Sequence, residues 1–105
     1  MIEHRQGIRR RALALVKIQS MSNDSVGLMY DISSQGMFVL TDAVPKMHEC
    51  INIYMLSPDS GRAVPVTGLV IHGGKHGFGV MFYGLDGKAR EMIKKYIDRF
   101  ESSYA

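Results

Sequence analysis

Val26-Gly27-Leu28-Met29-Tyr30-Asp31-Ile32-Ser33-Ser34-Gln35-Gly36-Met37-Phe38-Val39-Leu40-Thr41 reads as two strands folded back on each other. In its first half the side chains alternate, with Val26, Leu28, Tyr30 and Ile32 on one face and Gly27, Met29, Asp31 and Ser33 on the other. A period of two therefore sets Asp31 and Ser33 side by side, on the face opposite the expected core. Gly36 permits the backbone to reverse, and residues 37–41 return as the neighbouring strand. Working outward, residues 12–19 alternate as well, with Ala14, Val16 and Ile18 on one face and Leu13, Leu15 and Lys17 on the other. Asn23-Asp24 supplies the turn between this strand and the next. Residues 51–56, 64–72 and 78–83 give three more strands. Pro65 cannot donate to a ladder, so the fifth strand starts at an edge or irregularly.

The period changes at the C-terminal end. Ala89, Met92, Ile93, Tyr96, Ile97 and Phe100 recur at spacings of three and four, with Lys88, Glu91, Lys95 and Arg99 opposite them. Asp86 is placed to cap the resulting amphipathic helix, which spans 86–102. Six short strands and one late helix predict a mainly β fold: a small six-stranded antiparallel barrel with one C-terminal α-helix. With 105 residues there is room for one modest core, so the expected organisation is a flexible arginine-rich arm, 1–11, followed by a single domain, 12–105.

The net charge of +3 is concentrated rather than spread. Arg5, Arg9, Arg10 and Arg11 face only Glu3 within residues 1–11, while the rest of the chain is balanced. A localised block of this kind attracts anions. The single Cys50 has no partner for an intramolecular disulfide, and the charged N-terminal segment does not read as a secretory signal. The expected compartment is the reducing cytoplasm. No run approaches the roughly 18 consecutive apolar residues of a membrane-spanning helix, so no membrane insertion is expected.

Two motifs stand out against this background. Arg5-Gln6-Gly7-Ile8-Arg9 supplies two forked cations, suited to phosphates and to the O6/N7 edge of guanine. Gly7 and the strand that follows favour an irregular arm over a helix. Asp31-Ile32-Ser33-Ser34-Gln35-Gly36 adds a carboxylate and a hydroxyl at a strand end. Each motif also has an ordinary use, the first as a solvated helix face and the second as a turn cap. In this order and spacing, the pair resembles the PilZ domain, the bacterial receptor module for cyclic di-GMP, whose pattern is R-x-x-x-R followed by [D/N]-x-S-x-x-G. Gly79-Val80-Met81-Phe82 resembles the glycine-apolar-x-Phe signature of that family's last strand.

The resemblance implies a six-stranded barrel with a C-terminal helix, with cyclic di-GMP as its ligand. It assigns nucleotide binding to Arg5 and Arg9, guanine reading to Asp31 and Ser33, and room for the ligand to Gly36. Arg10 is a further candidate for phosphate. His4, His72 and Gly79 are candidates for minor contacts, and the residue type at the His4 position is associated in the family with binding one or two nucleotides. It also implies an effector protein, because a lone domain has no output of its own.

Other chemistry finds less support in the residues. His72 and His76 flank Gly73-Gly74 in a hairpin, with no cysteine or carboxylate to complete a zinc set, so no metal is expected. No paired carboxylates or nucleophile with its base occur at useful spacing, so no catalytic residue is assigned and the chain reads as a binder rather than an enzyme. The eight methionines read as flexible core filler in preference to a partner-facing surface. Two alternative functions stay open: a nucleotide-independent adaptor of the same family, and a barrel binding nucleic acid through its basic arm, which the nearly neutral body opposes.

Overall fold

The computed structural model describes residues 10–21 and 23–102. His4, Arg5 and Arg9 lie outside the described residues, as does the side chain of Phe100. Six strands follow in chain order: β1 (Arg10–Gln19), β2 (Asp24–Ile32), β3 (Gly36–Leu40), β4 (Cys50–Leu56), β5 (Ala63–Gly73) and β6 (Gly77–Phe82). They close into an antiparallel barrel in the order β1-β2-β3-β6-β5-β4, and α1 (Gly87–Ser102) follows. The mainly β barrel with one C-terminal helix is therefore as expected. β1 starts two residues earlier than its alternation indicates, so Arg10 and Arg11 already belong to the ladder, opposite Ile32 and Asp31.

The barrel interior is filled mainly by β-branched residues and methionines, among them Ile18, Met29, Ile32, Met37, Val39, Ile53, Met55 and Val70, together with the Phe78 ring, all at 1% exposure or less. Burying each such side chain contributes about 1.5–3 kcal/mol. Met29, Met37, Met55 and Met92 are the filler that the sequence suggests, but Met21, Met47 and Met81 are exposed. Pro65 sits where it can be tolerated: β5 pairs with β4 from Ala63 onward, whereas its ladder with β6 begins only at Gly68.

The alternation on β2 needs correction. Gly27 and Met29 face the core and Val26 is 69% exposed, so the first half of the strand shows the opposite face from that expected. The β2–β3 register then slips between Met29 and Asp31, leaving Tyr30 as an extra residue. A bulge of this kind inverts the inside–outside sequence. Ile32 therefore returns to the interior, and Asp31 is turned to the outer face. The pattern misled because the outer face of this strand is itself apolar.

Asp86 caps α1 as its position predicts, with its Oδ1 accepting a hydrogen bond from the Ala89 N–H at 2.9 Å. Ala89, Met92, Ile93 and Tyr96 are buried, and the helix lies mainly across β1 with further contacts to β5 and β2. The Tyr96 hydroxyl donates to the Leu56 carbonyl at 2.5 Å and ties the helix to the end of β4. Asp86→Ala is expected to lower unfolding free energy by about 1 kcal/mol, read as a lower urea midpoint at unchanged slope. Lys95 pairs with Asp59 on the surface, and its ammonium holds the Asp59 carboxyl below the usual range. The small stabilisation from this pair is present at neutral pH and is lost as pH falls through the lowered carboxyl pKa.

Candidate functional site

The bulge at Tyr30 brings a row of residues into line across the outer face of the barrel. Arg11 of β1 pairs with Asp31 of β2, Asp31 with Phe38 of β3, Phe38 with Gly79 of β6, and Gly79 with His72 of β5. The row also depends on a second slip, between Val70 and His72, which sets the histidine opposite Gly79. One motif carboxylate and two ring side chains are thereby collected on one surface.

Gly79 is what lets the rings meet. A Cβ there would sit 2.4 Å from His72 Nε2, so the imidazole occupies the space that any larger residue would fill. Lying over β6, it reaches the Phe38 ring from two strands away, with centroids 5.7 Å apart and planes inclined by 26°. This is offset stacking of the kind that holds aromatic pairs together. Around the pair is an open cleft of about 510 Å³, whose lining includes Tyr30, Asp31, Gln35, Gly36 and Met81. That volume is within the roughly 300–1,000 Å³ typical of ligand pockets. Asp31 is half-buried in its wall.

Ser33 is placed differently from its neighbour two residues before. It is 1% exposed and lies inside the turn that follows β2. Its Oγ accepts from the N–H groups of Gln35, at 3.2 Å, and Gly36, at 3.3 Å, and its hydroxyl is 3.4 Å from the Gly36 carbonyl, to which it donates. The Ser33 N–H also donates to that carbonyl at 2.8 Å. Asp31 and Ser33 thus do not share the outer face. Gly36 is held by sterics rather than by a left-handed backbone: a Cβ there would lie 2.1 Å from the Val80 carbonyl oxygen on β6. The turn is sewn to the same strand by the Phe82 N–H, which donates to the Gln35 carbonyl at 2.8 Å.

The structure therefore brings Asp31, Gly36, His72 and Gly79 to one cleft and sets Ser33 behind it, while β1 begins at its rim. Phe38, Tyr30 and Gln35 are cleft residues that the motifs do not name. His76 lies apart, 3.2 Å from Asp42 with both side chains exposed. Among the described residues no three His, Cys, Asp or Glu side chains assemble that could hold a metal, and no helix is long and apolar enough to cross a membrane.

Compared with known domains, the sequence matches the PilZ domain over residues 3–99, nearly its whole length. The chain belongs to the PilZ domain family. PilZ domains are binding modules, and cyclic di-GMP is the ligand generally associated with them. Two solved structures share the fold of this PilZ domain. One is the Bacillus subtilis inhibitor of motility MotI/DgrA, at 19% identity and a TM-score of 0.73, with 93% of this chain and 52% of that one covered. This chain thus spans about half the length of MotI/DgrA. The other is the PilZ domain of CeSA from a cellulose-synthesizing bacterium, at 15% identity and a TM-score of 0.73, with 90% and 98% covered. No curated protein sequence matches the chain.

Proposed function

We propose that this PilZ domain is a receptor for cyclic di-GMP, binding it in the cleft over Phe38, Gly79 and His72 and signalling through the arginine arm to an effector protein. The observation that carries this reading is the cross-strand row: a motif carboxylate stands beside a stacked ring pair, at the barrel end where the arm joins β1. Guanine presents two adjacent donors, N1–H and the N2 amino group, and a carboxylate accepts from both with charge-assisted bonds. Asp31 has that role here. Ser33 holds the turn that fixes Asp31 and Gly36, and the Phe38–His72 pair offers a face for a base to stack on. Arg5 and Arg9, with Arg10, neutralise the two phosphates, and His4 sets whether one or two nucleotides are held.

Binding is then coupled to output by charge. The dianion draws the arm onto the barrel, and the ordered arm presents a surface that the nucleotide-free protein lacks. A receptor of micromolar to nanomolar affinity gains about 8–12 kcal/mol, within reach of a few charge-assisted bonds and stacking after ordering costs. Nothing in this scheme turns the ligand over, and the messenger's cytoplasmic origin sets the compartment.

Calorimetric titration of the full chain with cyclic di-GMP at physiological salt, with GTP and cyclic di-AMP as controls, tests the reading. Saturable, guanine-selective heat is the expected result. Absence of heat from a folded sample overturns it in favour of a nucleotide-independent adaptor. Asp31→Ala is expected to weaken cyclic di-GMP more than any residual cyclic di-AMP binding, because adenine presents an acceptor where guanine presents N1–H. Equal losses for both nucleotides take base reading away from Asp31.

A further inference from the structure

The outer face of the barrel across β1, β2 and β4 is apolar where the fold does not require it. Leu13 and Leu15 of β1 are 59% and 76% exposed, Val26 of β2 is 69% exposed and Leu56 of β4 is 56% exposed. None of the four belongs to the core or packs against it. Strand register gathers them. Leu15 stands opposite Leu28, and Leu28 opposite Leu40, so an apolar row crosses three strands. Lys17 stands opposite Val26 on one side and Tyr54 on the other. The β1–β4 ladder ends at that Lys17–Tyr54 pair, and a shallow depression of about 390 Å³ opens beside it, with Leu15, Val26, Tyr54 and Leu56 in its lining.

Strands that are apolar on both faces are those covered on both faces, and none of the described residues covers this one. At their printed exposures the four side chains present about 200–300 Å² of apolar surface, and the half-buried Leu28, Leu40 and Tyr54 with the Lys17 stem bring the face to about 400 Å². A standard interface takes about 800 Å² from each partner, about 56–58% of it non-polar, so the face is large enough to form the centre of a dimer contact. Its charges fit the same occupant. Lys17 is the one charged residue among the described residues lining the depression, and Asp24 lies on the same outer face, two residues before Val26. Both are exposed, and neither is held in an ion pair among the described residues. A surface with one free charge of each sign complements its own copy, since in an isologous contact each charge is offered its opposite.

We propose that the domain forms a two-fold homodimer through this face, with Leu13, Leu15, Val26 and Leu56 of each protomer covered by the same patch of a second copy. The two-fold makes each residue count twice, so two exposed leucines on one strand become four in the contact. The cleft over Phe38, Gly79 and His72 lies on other strands, and the dimer stands or falls independently of nucleotide binding.

Sedimentation equilibrium of the full chain over about 1–300 μM, without nucleotide, tests it. The mass should rise with concentration from 11.7 kDa towards twice that value. The Leu15→Lys, Val26→Lys double variant should dimerise at least about tenfold more weakly, because two apolar anchors are lost and like charges are set against each other across the axis. Both positions are exposed, and thermal melting of the variant checks that the fold is kept. Met47→Lys, at a residue 48% exposed in the loop before β4, should dimerise as the wild type does. In labelled wild-type protein the amide resonances of Leu13, Leu15, Val26 and Leu56 should move on dilution, a readout that needs no variant. A mass fixed at 11.7 kDa throughout, a dimer that the folded double variant keeps, equal weakening by Met47→Lys, or dilution shifts confined to other faces would each overturn the proposal.

Discussion

Gly36→Ala is expected to cost the domain about 3 kcal/mol or more of stability, from the overpacking of a single methyl group. The added Cβ would sit 2.1 Å from the Val80 carbonyl oxygen and 3.2 Å from its carbon, so the obstacle is backbone, and no side chain can swing away to relieve it. Relief requires β3 to separate from β6, which strains the Gly36–Met81 pair and the adjoining bond from the Phe82 N–H to the Gln35 carbonyl. A domain of this size has a total stability of about 5–15 kcal/mol, so the loss is a large fraction of it. Urea unfolding followed by circular dichroism measures the change, with Gly87→Ala as the control. That glycine opens α1 and has nothing within 4 Å of a built Cβ, so alanine there should be neutral or slightly stabilising. Gly79→Ala makes a third case, because its clash is with the His72 ring. It should disturb the cleft more than the fold. A Gly36→Ala protein with a wild-type midpoint would show that the β3–β6 contact has slack.

The same contrast between backbone and side-chain constraints explains what could be read from the chain. All six strands and the helix were legible because punctuation and period agree: Asn23-Asp24, Gly36 and Gly73-Gly74 mark turns, and the change from period two to three-and-four spacing marks α1. The direction faced by β2 was not legible. Val26 and Leu28 are apolar on the outside, Met29 is apolar on the inside, and the slip at Tyr30 leaves no compositional trace. Periodicity finds a half-buried strand by contrast between its faces, and here the contrast is weak. Ser33 was misplaced for a related reason, since its parity with Asp31 along the chain ended where the strand gave way to a turn.

For the candidate site, Asp31, Gly36, His72 and Gly79 were named from the chain, but what joins them was not. The row from Arg11 to His72 depends on two register slips in different ladders, between Met29 and Asp31 and between Val70 and His72. Neither is a property of a single strand. Phe38 escaped notice because an aromatic residue in an apolar strand reads as core until the register shows which way it faces. Motif residues are recognisable one at a time, whereas a binding surface is a property of strand pairing.

Arg9→Ala is expected to weaken cyclic di-GMP binding at least about tenfold while leaving the fold intact. Removing one charge-assisted hydrogen bond to a phosphate or a guanine edge costs about 1.5–3 kcal/mol, and each 1.4 kcal/mol is a factor of ten in affinity. β1 begins at Arg10, level with Ile32 and one residue before the Ser33 turn, so the arm is tethered beside the cleft. Loss of a positive charge there also weakens the long-range attraction for a dianion, so the difference between wild type and variant should narrow as salt is raised. Arg62→Ala is the matched control: it removes the same charge from an exposed position next to the start of β5, whereas His72 lies towards the other end of that strand. Calorimetry on both variants, with melting temperatures to check folding, separates local from diffuse electrostatics. If Arg9→Ala and Arg62→Ala lose affinity equally, the ligand responds to net charge alone. If neither does, Arg9 leaves the site, and binding rests on Asp31 and the stacked pair.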